Sequence, residues 1–323
     1  MKNKIIFFWF LMISIMMALS SSFWFSLWMS LEINMMMFIP LMNSKNFLSS
    51  NSMLFYYIIQ SLSSSLYFFS SIIFSIYSNN MMIFIMTISM LIKLGSAPFH
   101  MWFPQISEGL NFMSFFVLSS FQKIIPLHVT SLIMNNNNLI PFIILSSIMG
   151  SLGGLNQISF KKILAFSSIA HLSWILTLIS LKQNFWTIYF LIYSIILMKI
   201  TFFLNKNNCF SIIQINSMKM TYIFKLFLFS FFMSLGGIPP FLGFFIKLIS
   251  IFLIFKMLPL ILMFLIMSSL INVYFYMRSF FPLMLNTKTL TKTFLINVNN
   301  FSLFFFIFNF AGIILIFPMI SFI

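Results

Sequence analysis

Long apolar stretches follow one another along almost the whole chain with very little charge between them, and that pattern leaves few folds open. Of the 323 residues, 61% are hydrophobic and only 6% are charged. A water-facing surface draws on roughly a quarter charged residues, so none of any size can be built here. Runs of about 18 or more apolar residues are long enough to cross about 30 Å of hydrocarbon as helices. The period-two alternation of barrel strands is absent, and a closed barrel is the only other backbone that can span a bilayer. The expected fold class is an all-α polytopic membrane protein, a single transmembrane domain over residues 1–323.

Polar punctuation divides the apolar runs into about eleven spans of membrane-crossing length: 4–22, 24–42, 53–77, 81–104, 112–133, 139–155, 160–181, 186–204, 221–250, 258–281 and 301–321. Met1-Lys2-Asn3-Lys4 ahead of Ile5 to Leu19 looks like a signal peptide, but no small-x-small cleavage site follows. It reads as a retained first helix. Alternating the spans puts Lys2, Lys4, Lys45, Lys161, Lys162, Lys206, Lys219, Lys288 and Lys292 on one side, and only Lys182 and Lys256 on the other. That asymmetry places the N-terminus inside and, with an odd span count, the C-terminus outside. Sixteen lysines against one arginine, with 49 Phe and 28 Met, are residues of AT-rich codons, and the methionine count suits a mitochondrial code. The expectation from composition is a mitochondrially encoded membrane protein with its N-terminus inside.

The net charge of +15 does not indicate nucleic acid, because the lysines are not clustered with aromatic platforms on a polar face. A single cysteine, Cys209, excludes a disulfide framework and an all-cysteine iron–sulfur cluster. No glycine-rich dinucleotide fingerprint is present. Three separated histidines with two carboxylates make no metal site. The chain is therefore expected to bind no cofactor, no metal and no soluble substrate directly.

Four lysines lie deep in apolar spans: Lys93, Lys123, Lys199 and Lys247. Lys225 and Arg278 fall near span ends and can snorkel to the interface. Lys123 sits roughly 16 Å into its span and Glu32 roughly 12 Å into the second. Each charge at the bilayer centre costs about 2.5–3.5 kcal/mol on insertion scales. Such residues either pair or line water and titrate, since desolvation makes a buried ammonium readier to give up its proton. Glu32 could form a structural ion pair with one lysine, although several compete for it. Glu108 reads as a solvated loop acid.

Two spans are interrupted. In KLGSAPFH (93–100), Gly95 and Pro98 follow Lys93. In GGIPPFLG (236–243), Gly236, Gly237, Pro239 and Pro240 precede Lys247. Proline removes a backbone donor and clashes with the preceding turn, so the fourth and ninth helices are expected to open there. Simple kinks are the plainer alternative. Discontinuous helices in corresponding halves point to an ion pathway at an inverted-repeat interface, and a deep lysine beside each favours that reading. His100 follows the first break and His171 lies inside the seventh span, so both are possible relays. His128 reads as structural.

These residues carry a resemblance. The segments 24–34 with Phe38-Ile39-Pro40, KLGSAPFHMWFP (93–104), Gln122 to Pro126, GSLGGLNQ (150–157), KILAFSSIAHLSW (162–174) and SLGGIPPFLGF (234–244) occur in one order. They resemble the NADH:ubiquinone oxidoreductase chain 2 family, the mitochondrially encoded antiporter-like subunits of respiratory complex I, in an arthropod or insect form. The resemblance implies an eleven-helix antiporter-like inverted repeat and proton translocation through Glu32, Lys93, Lys123 and Lys247. It implies that Glu32 pairs with Lys93, that Lys123 relays, and that Lys247 leads to the outlet. It also implies partners in the membrane arm, with flavin, iron–sulfur clusters and quinone held by other subunits. Gln105 stands where the family usually has a glutamate, Ile246 and Leu248 replace the usual Pro and Trp, and Lys199 matches no family site. A stand-alone cation/proton antiporter is the alternative.

Overall fold

The computed structural model describes residues 2–44, 46–133, 138–212, 214, 222–285 and 309. Thus Lys45, Lys219, Lys288, Lys292 and nearly all of the span expected at 301–321 lie outside the described residues. Within them the chain is helical: α1 Lys2–Ser20, α2 Trp24–Met42, α3 Phe47–Tyr77, α4 Asn80–Leu94, α5 Trp102–Gly109, α6 Phe112–Ser119 and α7 Phe121–Ile133. There follow α8 Ile140–Gly154, α9 Phe160–Ser180, α10 Phe185–Lys206, α11 Tyr222–Gly236, α12 Leu242–Phe255 and α13 Pro259–Leu285. Six helical stretches are long and apolar enough to cross a membrane: Trp24–Met42, Phe47–Tyr77, Phe112–Ile133, Phe160–Ser180, Phe185–Lys206 and Pro259–Phe281. Lys4–Ser20, Asn80–Leu94, Ile140–Gly154, Lys225–Gly236 and Leu242–Phe255 are shorter apolar helices.

Polarity is inverted relative to a soluble bundle. On α3 the buried face reads Ser49, Ser52, Tyr56, Gln60, Ser63, Tyr67 and Ser70, spaced three or four apart, which is one face of a helix. Leu54, Phe55, Ile58, Leu62 and Phe69 point outward. The buried serines spend their donors within their own helix: Ser63 Oγ donates to the Gln60 carbonyl at 2.8 Å and Ser70 Oγ to Tyr67 at 3.0 Å. The inward serines therefore leave no unmatched hydroxyl, although the Tyr67 phenol in the same stripe is buried without a partner in the protein, and the outward face is apolar.

Helix α9 is buried on every side, and its 18-residue apolar window is 100% buried. A helix enclosed all round must be apolar or small all round, and α9 alternates Ile and Leu with Ala165, Ala170, Ser167, Ser168 and Ser173. Its neighbour α8 approaches through glycine. A Cβ on Gly150 would sit 2.6 Å from the Ala170 amide nitrogen, so only the bare backbone fits. Between membrane helices, close approach of this kind supplies the packing that solvent expulsion cannot.

Several expectations need correcting. The third helix starts at Phe47, not 53. The expected 81–104 span ends as helix at Leu94, and residues 102–109 form α5. Residues 112–133 are interrupted at Ser120, whose φ of −117° and ψ of −82° are not helical, an interruption that no proline or glycine signals. Glu108 lies in α5, not in a loop, and its Oε1 meets Lys162 Nζ at 2.7 Å. Lys161, expected at one membrane face at the start of the 160–181 span, is buried: its Nζ donates to the carbonyls of Glu108, at 3.2 Å, and Leu110. It also lies 5.3 and 5.2 Å from the ring centres of Phe112 and Phe210. A cation at the carbonyl end of α5 is where the helix dipole favours one.

Candidate functional site: a buried line of lysines

The two helix breaks are built alike. At the first, Gly95 adopts φ +68°, its N–H bonds to the Ile92 carbonyl at 3.1 Å, and Ser96 N–H reaches the Leu91 carbonyl at 3.1 Å. At the second, Gly237 adopts φ +78°, its N–H bonds to Ser234 at 3.1 Å, and Ile238 N–H reaches Met233 at 3.3 Å. Both are Schellman caps, which need a left-handed residue and therefore favour glycine. A proline follows three residues after each of these glycines, at Pro98 and Pro240, where the helix cannot resume.

Each cap leaves carbonyls without an intrahelical donor. At the first break, Trp102 Nε1 donates to the Ile92 carbonyl at 3.1 Å and Gln60 Nε2 to the Lys93 carbonyl at 3.4 Å. At the second, Lys247 Nζ donates to the Gly236 carbonyl at 2.6 Å. The Lys247 stem crosses Gly237 so closely that a Cβ there would fall 2.6 Å from Lys247 Cδ. Gly237 is thus required twice, for its backbone angle and for the lysine. Gly243 lets α12 tuck against α11, since a Cβ there would run into the Ser234 carbonyl.

All four deep lysines are buried, at 6% exposure for Lys93, 3% for Lys123, 4% for Lys199 and 6% for Lys247. Lys93 occupies the last turn of α4. Glu32 on α2 is half-buried, and its charge acts on Lys93. The two do not form a salt bridge: among the described residues the ion pair within 4.0 Å is Lys162–Glu108. Lys123 stands three residues past the interruption at Ser120. Its Nζ lies 4.6 Å from the centre of the Phe103 ring on α5 and has no hydrogen-bond partner in the protein. Lys199 lies 5.8 Å from the Phe231 ring centre.

His171 on α9 is 5% exposed, and the charges of both Lys123 and Lys247 reach it. It therefore sits electrostatically between the lysine of α7 and the lysine of α12. Its Nδ1 lies 2.9 Å from Tyr189 Oη, and the Tyr193 ring centre is 4.8 Å away. His100 has no such place: its Nδ1 contacts the Pro98 carbonyl at 3.3 Å, within its own loop. The structure brings Glu32 to Lys93, and His171 to Lys123 and Lys247. It leaves His100 beside the first break.

The sequence matches the family described as NADH:quinone oxidoreductase/Mrp antiporter, TM, over residues 21–272. NADH-ubiquinone oxidoreductase chain 2 of Rhipicephalus sanguineus is 42% identical over 281 residues, 87% of this chain and 90% of the relative. The chain belongs to the NADH-ubiquinone oxidoreductase chain 2 family. The relative from Anopheles gambiae is 40% identical over 92% of this chain and 91% of its own length. Among solved structures, a chain of respiratory complex I from Thermus thermophilus with bound aureothin superposes with a TM-score of 0.80 at 16% identity, covering 87% of this chain and 70% of that one. At that identity the match speaks for the fold.

Within this family fold, the site includes polar residues that the sequence reading passed over. Tyr56 Oη donates to Gln122 Oε1 at 3.0 Å, and Gln122 Nε2 donates to Asn34 Oδ1 at 2.9 Å, so α3, α7 and α2 are tied beside Lys123. Tyr189 and Tyr193 are buried against His171, and the buried Tyr276 interacts electrostatically with both of them. Spacing alone could have flagged Tyr189 and Tyr193, which are four apart on one face of an apolar helix.

Proposed function

We propose that this chain is a proton-translocating subunit of the membrane arm of NADH:ubiquinone oxidoreductase. It carries no redox centre and moves protons along Glu32, Lys93, Lys123, His171 and Lys247 while partner subunits oxidise NADH and reduce quinone. The observation that carries the proposal is the pair of like-built breaks, each with a buried lysine against it, and His171 within reach of the lysines on either side. Two corresponding interruptions in one bundle are the sequence-readable mark of an inverted repeat, so α4 with α5, and α11 with α12, are read as halves of discontinuous helices in an eleven-span domain. Three steps follow. Glu32 biases the protonation of Lys93. Water hydrogen-bonded to the buried polar atoms passes the proton toward Lys123. His171 links Lys123 to Lys247, which opens to the far side.

Flavin, iron–sulfur clusters and quinone belong to the partner subunits, and this chain contacts those of the membrane arm and lipid. The experiment is purification: the chain is expected to travel with flavin and iron–sulfur absorbance. A stand-alone cation/proton antiporter, the other activity in the family's description, would purify without them, and that outcome would replace this reading.

In the mitochondrial inner membrane, the lysine asymmetry puts Lys206 on the matrix side and Lys182 on the intermembrane side, at opposite ends of α10. Cysteines introduced at the two positions are expected to react with an impermeant reagent from opposite faces. Labelling from the same face would discard this topology.

A further inference from the structure

His171 and Tyr189 form a buried pair whose geometry does more than place a ring. A neutral imidazole offers one donor and one acceptor, and the group on one nitrogen decides what the other can do. Nδ1 lies 2.9 Å from Tyr189 Oη, while Nε2 is buried without a hydrogen-bond partner. The direction of that bond follows from the neighbours. If Nδ1–H donated to the phenol, the Tyr189 hydroxyl would need an acceptor of its own. The Tyr193 and Tyr276 phenols are directed to Ser168 and Ser167, so among the described residues neither takes that proton. Tyr189 therefore donates to Nδ1, and the ring hydrogen resides on Nε2. The Leu235 carbonyl, one residue before the carbonyl that holds Lys247, stands near the ring without completing a bond to Nε2.

In that state His171 cannot accept a proton. Its one free lone pair is on Nδ1, and the Tyr189 hydroxyl covers it. Resting on the proton route set out above, we propose that Tyr189 is a positioning residue that holds the connection between Lys123 and Lys247 closed. The connection opens when the Tyr189 hydroxyl turns off Nδ1. The proton leaving the Lys123 ammonium then bonds to Nδ1, giving an imidazolium. Its Nε2 proton is released toward Lys247, which takes it as a neutral amine. One N–H bond forms and one breaks at each transfer, and the ring returns to neutrality with the opposite tautomer. Recovery of the Nε2–H form restores the closure.

Tyr189→Phe deletes the hydroxyl and keeps the ring, so packing against His171 and Tyr193 is retained. In the assembled complex in proteoliposomes, the expected result is NADH oxidation within about twofold of wild type with a lower ratio of protons moved per electron. Tyr193→Phe, which leaves the Tyr189 hydroxyl on Nδ1, is expected to lower that ratio less than Tyr189→Phe does. His171→Met is expected to lose the contribution of this route to pumping, and adding Tyr189→Phe to it should change nothing further. A wild-type proton ratio in Tyr189→Phe would overturn the proposal while His171→Met remains impaired. Loss of electron transfer at an unchanged ratio would overturn it too, since Tyr189 would then be a required carrier. Equal effects of Tyr189→Phe and Tyr193→Phe would reduce both to packing. Normal pumping in His171→Met would remove the route itself, and this proposal with it.

Discussion

Lys93→Met and Glu32→Gln are each expected to lower proton-coupled turnover by about tenfold or more while the complex still assembles. Lys93 is 6% exposed in the last turn of α4, and Glu32 is the acid whose charge acts on it. They are not in salt-bridge contact, so the coupling runs through the field across more than 4.0 Å. Two unit charges about 6 Å apart at an effective dielectric of about 20 interact by about 3 kcal/mol. A change of about 1.4 kcal/mol is tenfold in a protonation equilibrium, so moving or neutralising Glu32 is enough to load and unload Lys93. Met keeps the unbranched stem and Gln the shape of the acid, so the packing of α2 and α4 against α3 should survive both. The double variant should be less impaired than the two losses combined, because each removes the same interaction. NADH-driven proton uptake by reconstituted complex, with assembly checked on native gels, measures all three. Fully additive losses would mean that the two residues act separately.

Much of this was legible in the sequence, for identifiable reasons. Lys93, Lys123 and Lys247 stand out because a charge in hydrocarbon is expensive and rare. The breaks are visible because glycine readily adopts the left-handed cap and proline lacks the N–H that would carry the helix on. Helix boundaries at Trp24–Met42 and Phe160–Ser180 follow apolar runs whose length the bilayer sets.

Other features could not be read. The interruption at Ser120, three residues from Lys123, has no glycine or proline to announce it. Lys161 reads as one of a polar pair with Lys162, and only the fold shows that the chain end of α5 captures it. Glu108 fails for the same reason, since its partner Lys162 lies 54 positions away. The phenols of Tyr189, Tyr193 and Tyr276 are individually ordinary in a chain with 9 tyrosines. The meeting of Tyr189 and Tyr193 with His171 depends on how α10 packs on α9, and Tyr276 joins them through the packing of α13.

Lys123 gives the most direct test that buried lysines carry the protons. Its Nζ is buried, lies 4.6 Å from the Phe103 ring centre and has no hydrogen-bond partner in the protein. A cation–π contact returns about 2 kcal/mol when desolvated, less than the several kcal/mol that removing an ion from water costs. Such a residue is a burden on the fold, so a purely structural lysine here would be better replaced by an apolar side chain. The measurement is proton translocation per NADH oxidised by reconstituted Lys123→Met complex, together with its thermal stability. The account predicts stability equal to or above wild type, with proton-coupled turnover reduced by about a hundredfold, the scale on which a single proton-transfer group acts. Wild-type turnover with an unchanged proton ratio in a fully assembled Lys123→Met complex would contradict it.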